Sequence, residues 1–186
     1  MEHLNVEIKA RCSDVLSARQ VLKGAGARFV GEDHQIDTYF RVENGRLKLR
    51  EGNIENHLIF YRRGNQAGPK ASEVALLETQ AGSPLKAFLE KALGSWMCVD
   101  KRREIYFVEN VKFHLDQVSG LGTFLEIEAI DMEGKYGQAK LEEQCRFWME
   151  KLNVQDADLL SVSYSDMLES TFPASKNEDK SPKNTL

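Results

Sequence analysis

Cysteine is scarce in this chain. Cys12, Cys98 and Cys145 are three in 186 residues, odd in number and far apart, which excludes a disulfide framework. No CxxC or Cys/His spacing offers a structural zinc site, so reduced thiols in a cytoplasm are expected. A basic surplus is also lacking: the formal net charge is -4 and the pI is near 5.7. A general nucleic-acid binder would usually need a basic surface, so any cationic site here must be local. No apolar run is long enough to span a bilayer, and residues 1–10 alternate instead of forming a signal-peptide core. No membrane partner is expected, and no internal repeat stands out.

What is present is ordinary in amount, 41% hydrophobic and 29% charged residues, enough for one well-buried domain. That domain is expected over residues 1–170. From about Thr171 to Leu186 the chain is polar and poor in large apolar residues, which predicts a disordered tail.

The arrangement of these residues is more informative. In Leu4-Asn5-Val6-Glu7-Ile8-Lys9-Ala10-Arg11, apolar and polar residues alternate with the period of a strand. Ser13 is a plausible N-cap for a following helix with Val15, Ala18, Leu22 and Ala25 on one stripe. Gln35 to Val42 and Gly45 to Glu51 read as a hairpin about Glu43-Asn44-Gly45, because Asn-Gly supplies the positive φ of a tight turn. His57 to Arg63 and Ala71 to Thr79 are further strands, joined by a loop over residues 64–70. Ser83-Pro84 opens a helix that Gly94 ends. Val99 to Val108, Val111 to Val118 and Thr123 to Ile130 continue as an antiparallel meander. Two helices close the chain, one over residues 135–152 and one carrying Leu160, Tyr164 and Met167. Trp96, Phe147 and Trp148 are expected in the core.

The polar strand faces are segregated by sign. Arg46, Lys48 and Arg50 share one face, whereas Glu126 and Glu128 share another. A merely solvated sheet face is the commonest reason for alternation, but such a face tends to intersperse its charges. Like charges side by side repel unless something neutralises them. Clustered Arg and Lys suit phosphate oxygens, and clustered carboxylates suit a hard cation such as Mg²⁺.

The pieces Asn5 to Arg11, Asp37-Thr38-Tyr39-Phe40, Gly45 to Arg50, and His114-Leu115-Asp116 with Gly120 to Glu128 resemble, in the same order, the CYTH family. These are the triphosphate tunnel metalloenzymes, which include class IV adenylyl cyclases and thiamine triphosphatases. The resemblance implies an α+β fold, an eight-stranded antiparallel β-barrel with helices outside it. It implies a tunnel that holds a triphosphate through basic residues and Mg²⁺ or Mn²⁺ through acidic ones. By position, Glu7, Asp116, Glu126 and Glu128 become metal ligands. Lys9, Arg11, Arg46, Lys48, Arg50, Arg63, Lys101 and Arg103 become triphosphate-binding residues, and Lys9, Arg63 and Asp116 candidate catalytic groups. The family's ExExK hallmark departs at its first position, where this chain has Asn5, whose amide oxygen can ligate but brings no charge. The reading that follows is a class IV adenylyl cyclase-like enzyme. Thiamine triphosphatase, inorganic triphosphatase and a non-catalytic triphosphate-binding module are the alternatives, and a homodimer is left open.

Several residues carry less. Asp116 could equally initiate a turn before Gly120, and His114 beside it could satisfy only a local hydrogen bond. His3, His34 and His57 have no ligand spacing. Residues 64–70 lack the GxxxxGK[ST] pattern of a phosphate loop and are expected at a tunnel mouth.

Overall fold

The computed structural model describes residues 2–64 and 66–171, apart from the side chains of Glu2 and Arg63. Eight strands are arranged in the order β1-β5-β4-β3-β2-β6-β7-β8 and close into a barrel in which every pairing is antiparallel. The strands are β1 (Glu2–Arg11), β2 (Arg28–Phe40), β3 (Arg46–Gly52), β4 (His57–Arg63), β5 (Lys70–Glu78), β6 (Ser95–Val108), β7 (Val111–Val118) and β8 (Gly122–Asp131). The first strand closes the barrel, pairing with β5 on one side and β8 on the other. Closure removes the open edges that would otherwise invite pairing with other chains.

The apolar faces point outward. Val6, Ile8, Phe113, Leu125 and Ile127 are buried under α1 (Val15–Gly24) and α3 (Gly137–Lys151), whose Leu22, Leu141 and Trp148 complete that core. The ring edge of Phe113 meets Trp148 at 4.8 Å between centroids. Phe40, Leu49 and Leu89 form a smaller cluster beneath α2 (Leu85–Leu93). A third cluster joins Tyr39, Val99, Val118 and Phe124 to Tyr164 and Leu168 of α4 (Tyr164–Thr171). Since side chains alternate across each strand, the charged set faces the lumen.

Local expectations hold with small shifts. Asp14, rather than Ser13, caps α1, its Oδ1 accepting from Ser17 N at 2.9 Å. Pro84 takes the N-cap position of α2, and Gly94 ends that helix at φ 73°. Gly45 has φ 69°; a Cβ there would also lie 2.8 Å from Tyr61 O. Backbone conformation and close approach therefore both demand glycine.

Strands β2 and β6 start earlier than their alternation suggests, because their antiparallel pairing extends through a register shift at each end, between Phe29 and Gly31 at the start of β2 and between Tyr39 and Phe40 at the start of β6. Within β2, Asp33 and Gln35 are buried polar residues, which hid the strand from a hydrophobic pattern. Phe147 is half exposed, not core. Apart from Thr171, which ends α4, the expected disordered tail lies outside the described residues. No described helix is long and apolar enough to cross a membrane.

Candidate functional site

Strand register carries charge into one cavity of about 810 Å³ within the barrel. On its acidic wall, Glu7 lies opposite Glu128 and Lys9 opposite Glu126 across β1 and β8. Across β7 and β8, Lys112 faces Glu128 and His114 faces Glu126. Glu126 is the hub: it meets the Lys9 ammonium, accepts from Arg103 Nη2 at 2.7 Å, and lies 3.1 Å from His114 Nδ1. Ligand atoms of His114, Glu126 and Glu128 lie within 4.8 Å of one another. Burial, reinforced by Arg103 and Lys112, pushes the His114 imidazole well below its usual range. Because a carboxylate oxygen accepts, the contact with Glu126 requires Nδ1 to carry a hydrogen.

The cationic wall is organised around Asp37. This buried carboxylate accepts from Lys48 Nζ and Lys101 Nζ, each at 2.8 Å, and from Arg50 through Nε at 2.9 Å and Nη2 at 3.1 Å. Burial alone would raise Asp37, but the Arg50 guanidinium and the Lys101 and Lys48 ammoniums hold it well below the carboxylate range.

Glu55 is held down in the same way, with burial outweighed by Lys112 and Arg50. Both groups stay ionised in the fold where the unfolded chain already takes up protons, at roughly pH 4. The stability they contribute is fully present above that range and is lost as pH falls through it. Acid titration followed by circular dichroism should show stability dropping below about pH 4, and a flat profile there would contradict these depressed carboxylates.

Of the residues singled out in the sequence, Glu7, Lys9, Lys48, Arg50, Lys101, Arg103, Glu126 and Glu128 meet around this cavity. Three others do not face it. Arg11 is exposed at the barrel rim, over the Phe124 ring at 5.7 Å. Arg46 turns to the start of α4, where it pairs with Asp166 at 2.8 Å and donates to Ser163 Oγ. Asp116 is 1% exposed and its oxygens are already engaged. It takes a two-pronged contact from Arg103 at 2.7 and 2.5 Å and accepts from Tyr164 OH at 2.8 Å. It is thus placed to orient Arg103, not to ligate a metal. Arg63 belongs to β4, but its side chain lies outside the described residues.

Other lining groups went unrecognised in the sequence. Lys112 continues the β7 alternation that carries His114 and could have been found from it. Glu55 comes from the short segment between β3 and β4, where no period exists. Ser163 and Tyr164 line the end next to α4, where the Tyr164 ring lies 3.5 Å below Lys9 Nζ. Lys70 also lies toward that end, its Nζ donating to Leu160 O at 3.3 Å, and not at the opposite mouth where Leu77, Glu78 and Met132 are exposed. His3 and His57 line the cavity, whereas His34 pairs with Asp100 outside it.

The donor set suits a hard divalent cation. The groups whose ligand atoms converge are Glu126, Glu128 and His114, and Glu7 lines the same cavity. Asn5, two residues before Glu7 on the same strand face, contributes a buried Oδ1 with no hydrogen-bond partner among the described residues. An unmet buried acceptor costs roughly 1–3 kcal/mol, which a cation or water at that oxygen would offset.

A closed antiparallel barrel whose lumen sets carboxylates against clustered Lys and Arg defines the class. This chain belongs to the CYTH domain family, whose model matches residues 3–164. It is 25% identical over 178 residues to a Methanocaldococcus jannaschii protein named "Putative adenylate cyclase MJ0240", covering 88% of this chain and 98% of that one. The PH1012 protein of Pyrococcus horikoshii OT3 shares the fold with a TM-score of 0.74, at 23% identity, 87% of this chain and 98% of that one. A Hippeastrum protein, described as revealing a dominant triphosphatase activity, shares the fold at a TM-score of 0.54 and 15% identity, over 90% and 94% of the chains.

Proposed function

We propose that the protein is a Mg²⁺- or Mn²⁺-dependent enzyme that converts ATP to cyclic AMP and pyrophosphate. The observation that carries this reading is the juxtaposition, across one cavity, of Glu7, Glu126 and Glu128 with Lys48, Arg50, Lys101 and Arg103. Family membership and the name of the archaeal relative support it. The three free cysteines are consistent with work in a reducing cytoplasm.

Glu7, Glu126 and Glu128, with Asn5 Oδ1 beside them, would hold the cation. Bound there, it would supply charge stabilisation at phosphoryl oxygens. Lys48, Arg50 and Lys101 bind the phosphate chain, exchanging part of their contact with Asp37 for phosphate oxygens. In the reaction the ribose 3′-hydroxyl attacks the α-phosphorus in line, its proton is released to solvent, and the bond to the bridging oxygen of pyrophosphate breaks. Arg103 faces the charge that develops, its guanidinium plane fixed by Asp116, while Asp116 is itself held by Tyr164. Lys9, against Glu126 and the Tyr164 ring, completes the cationic lining.

Purified protein given Mg²⁺ or Mn²⁺ with ATP, thiamine triphosphate or tripolyphosphate should form cyclic AMP and pyrophosphate from ATP. Orthophosphate as the product would make the chain a triphosphatase. Binding without any product would make it a non-catalytic triphosphate module.

A further inference from the structure

Glu55 stands among the cations without belonging to the acidic wall. Its Oε2 accepts from Arg50 Nη1 at 2.9 Å and from Gln35 Nε2 at 3.1 Å, and its Oε1 from Lys112 Nζ. Arg50 comes from β3 and Lys112 from β7, so one carboxylate links side chains from strands that are not neighbours in the barrel. Arg50, Lys112 and Glu55 all line the cavity. An anion supplied by the protein therefore occupies a position at which two cations converge.

The backbone around Glu55 is fixed. Asp33, fully buried, accepts from Ile54 N at 2.9 Å and Glu55 N at 3.0 Å, and also from Gln35 Nε2 at 2.8 Å. Asn56 braces the same turn, donating to Gly52 O at 2.9 Å and accepting from Gly52 N at 3.2 Å. A Cβ at Gly52 would lie 2.7 Å from both Asp33 Oδ2 and Glu55 O, so the turn closes only around glycine. Such bracing argues for a permanent part of the wall, not for a side chain that swings aside.

At the opposite end, Ser163 and Tyr164 line the lumen beside α4, tied in by Tyr164 OH on Asp116 and by Leu160 N on Lys9 O. Beyond Glu55, toward the exposed mouth, the lining mixes apolar Phe107, Ile130 and Met132 with the carboxylates of Glu78 and Glu109, where an organic group fits better than a phosphate. The cationic stretch is thus bounded by hydroxyls at one end and by a carboxylate at the other.

We propose that Glu55 is a resident anion that ends the phosphate-reading section of the tunnel, standing at Arg50 and Lys112 where one further phosphate would bind. This rests on the triphosphate reading above and adds the limit on chain length. A fourth phosphate would meet a fixed negative charge and would find Lys112 and the Nη1 of Arg50 already engaged, while Nε and Nη2 of Arg50 face Asp37 and the triphosphate section. Discrimination then comes from repulsion built against the longer ligand as well as from attraction for the correct one.

The test measures calorimetric binding of inorganic tripolyphosphate and tetrapolyphosphate to the full chain and to Glu55→Gln, which keeps the shape and one acceptor oxygen. Wild type should bind tetrapolyphosphate no more tightly than tripolyphosphate. Glu55→Gln should gain at least about tenfold for tetrapolyphosphate and less than about threefold for tripolyphosphate. Adding Lys112→Gln should remove that selective gain. Equal gains for both anions, no gain for the longer one, or a larger gain for tripolyphosphate would overturn the assignment. Should the variant not fold, wild-type protein decides alone: markedly tighter binding of tetrapolyphosphate overturns the length limit, and parity or weaker binding supports it. Failure of wild type to bind either anion would instead overturn the triphosphate reading, and the length limit with it.

Discussion

Glu126→Gln/Glu128→Gln should lose metal-dependent turnover by a hundredfold or more, in line with removal of several kcal/mol of transition-state charge stabilisation. The fold should survive. Each glutamine keeps an oxygen that can accept from Lys9, Arg103 or His114, and Arg103 retains its two-pronged contact with Asp116. The charge needed for a hard cation is lost, because an amide offers only a dipole. Calorimetry with Mn²⁺ reads the site independently of catalysis, and circular dichroism reads the fold. Turnover and Mn²⁺ affinity both unchanged would sink the placement of the cation on this wall.

Asp37→Asn tests the opposite wall, and its main effect should be on stability. Lys48, Arg50 and Lys101 all converge on this one carboxylate, and the Lys101 side chain is fully buried. Removing one partner of a buried charge cluster typically costs about 3–5 kcal/mol, since the remaining ions keep their desolvation penalty. At a few degrees per kcal/mol for a chain of this size, the melting temperature should fall by roughly 10 °C. Added tripolyphosphate or sulfate should restore much of the loss by binding the folded state, and should stabilise the variant more than the wild type. A variant melting like wild type would mean that water already screens these cations, so that Asp37 is not their organising partner.

His114 shows how far alternation can be followed. Its parity on β7 placed it on the charged face with Asp116, but residue spacing gave it only a local hydrogen bond. In the barrel its Nδ1 meets Glu126 on the neighbouring strand, while Asp116 is taken by Arg103 and Tyr164. Parity identifies a face; which groups on that face touch depends on pairing register and on tilt. Arg11 and Arg46 make the same point from the other side. They share the parity of Lys9 and Lys48 yet lie beyond the cavity, because α4 and the barrel rim set where the lumen ends.

The sequence by itself determined most of the strands and which of their residues share a polar face, because strand alternation is a local property with a period of two. The family resemblance, not alternation, marked Asn5 as standing where a carboxylate is expected, and in the barrel its buried amide oxygen has no partner among the described residues. Only the tertiary structure decided that Asp116 holds Arg103 and that Glu55 enters the lumen. The Asp116 contact depends on the register of the β6–β7 pairing together with Tyr164 of α4, and the Glu55 position on a turn held by Asp33. No periodic pattern encodes such contacts, since barrel closure and register are set by the whole ring of pairings together.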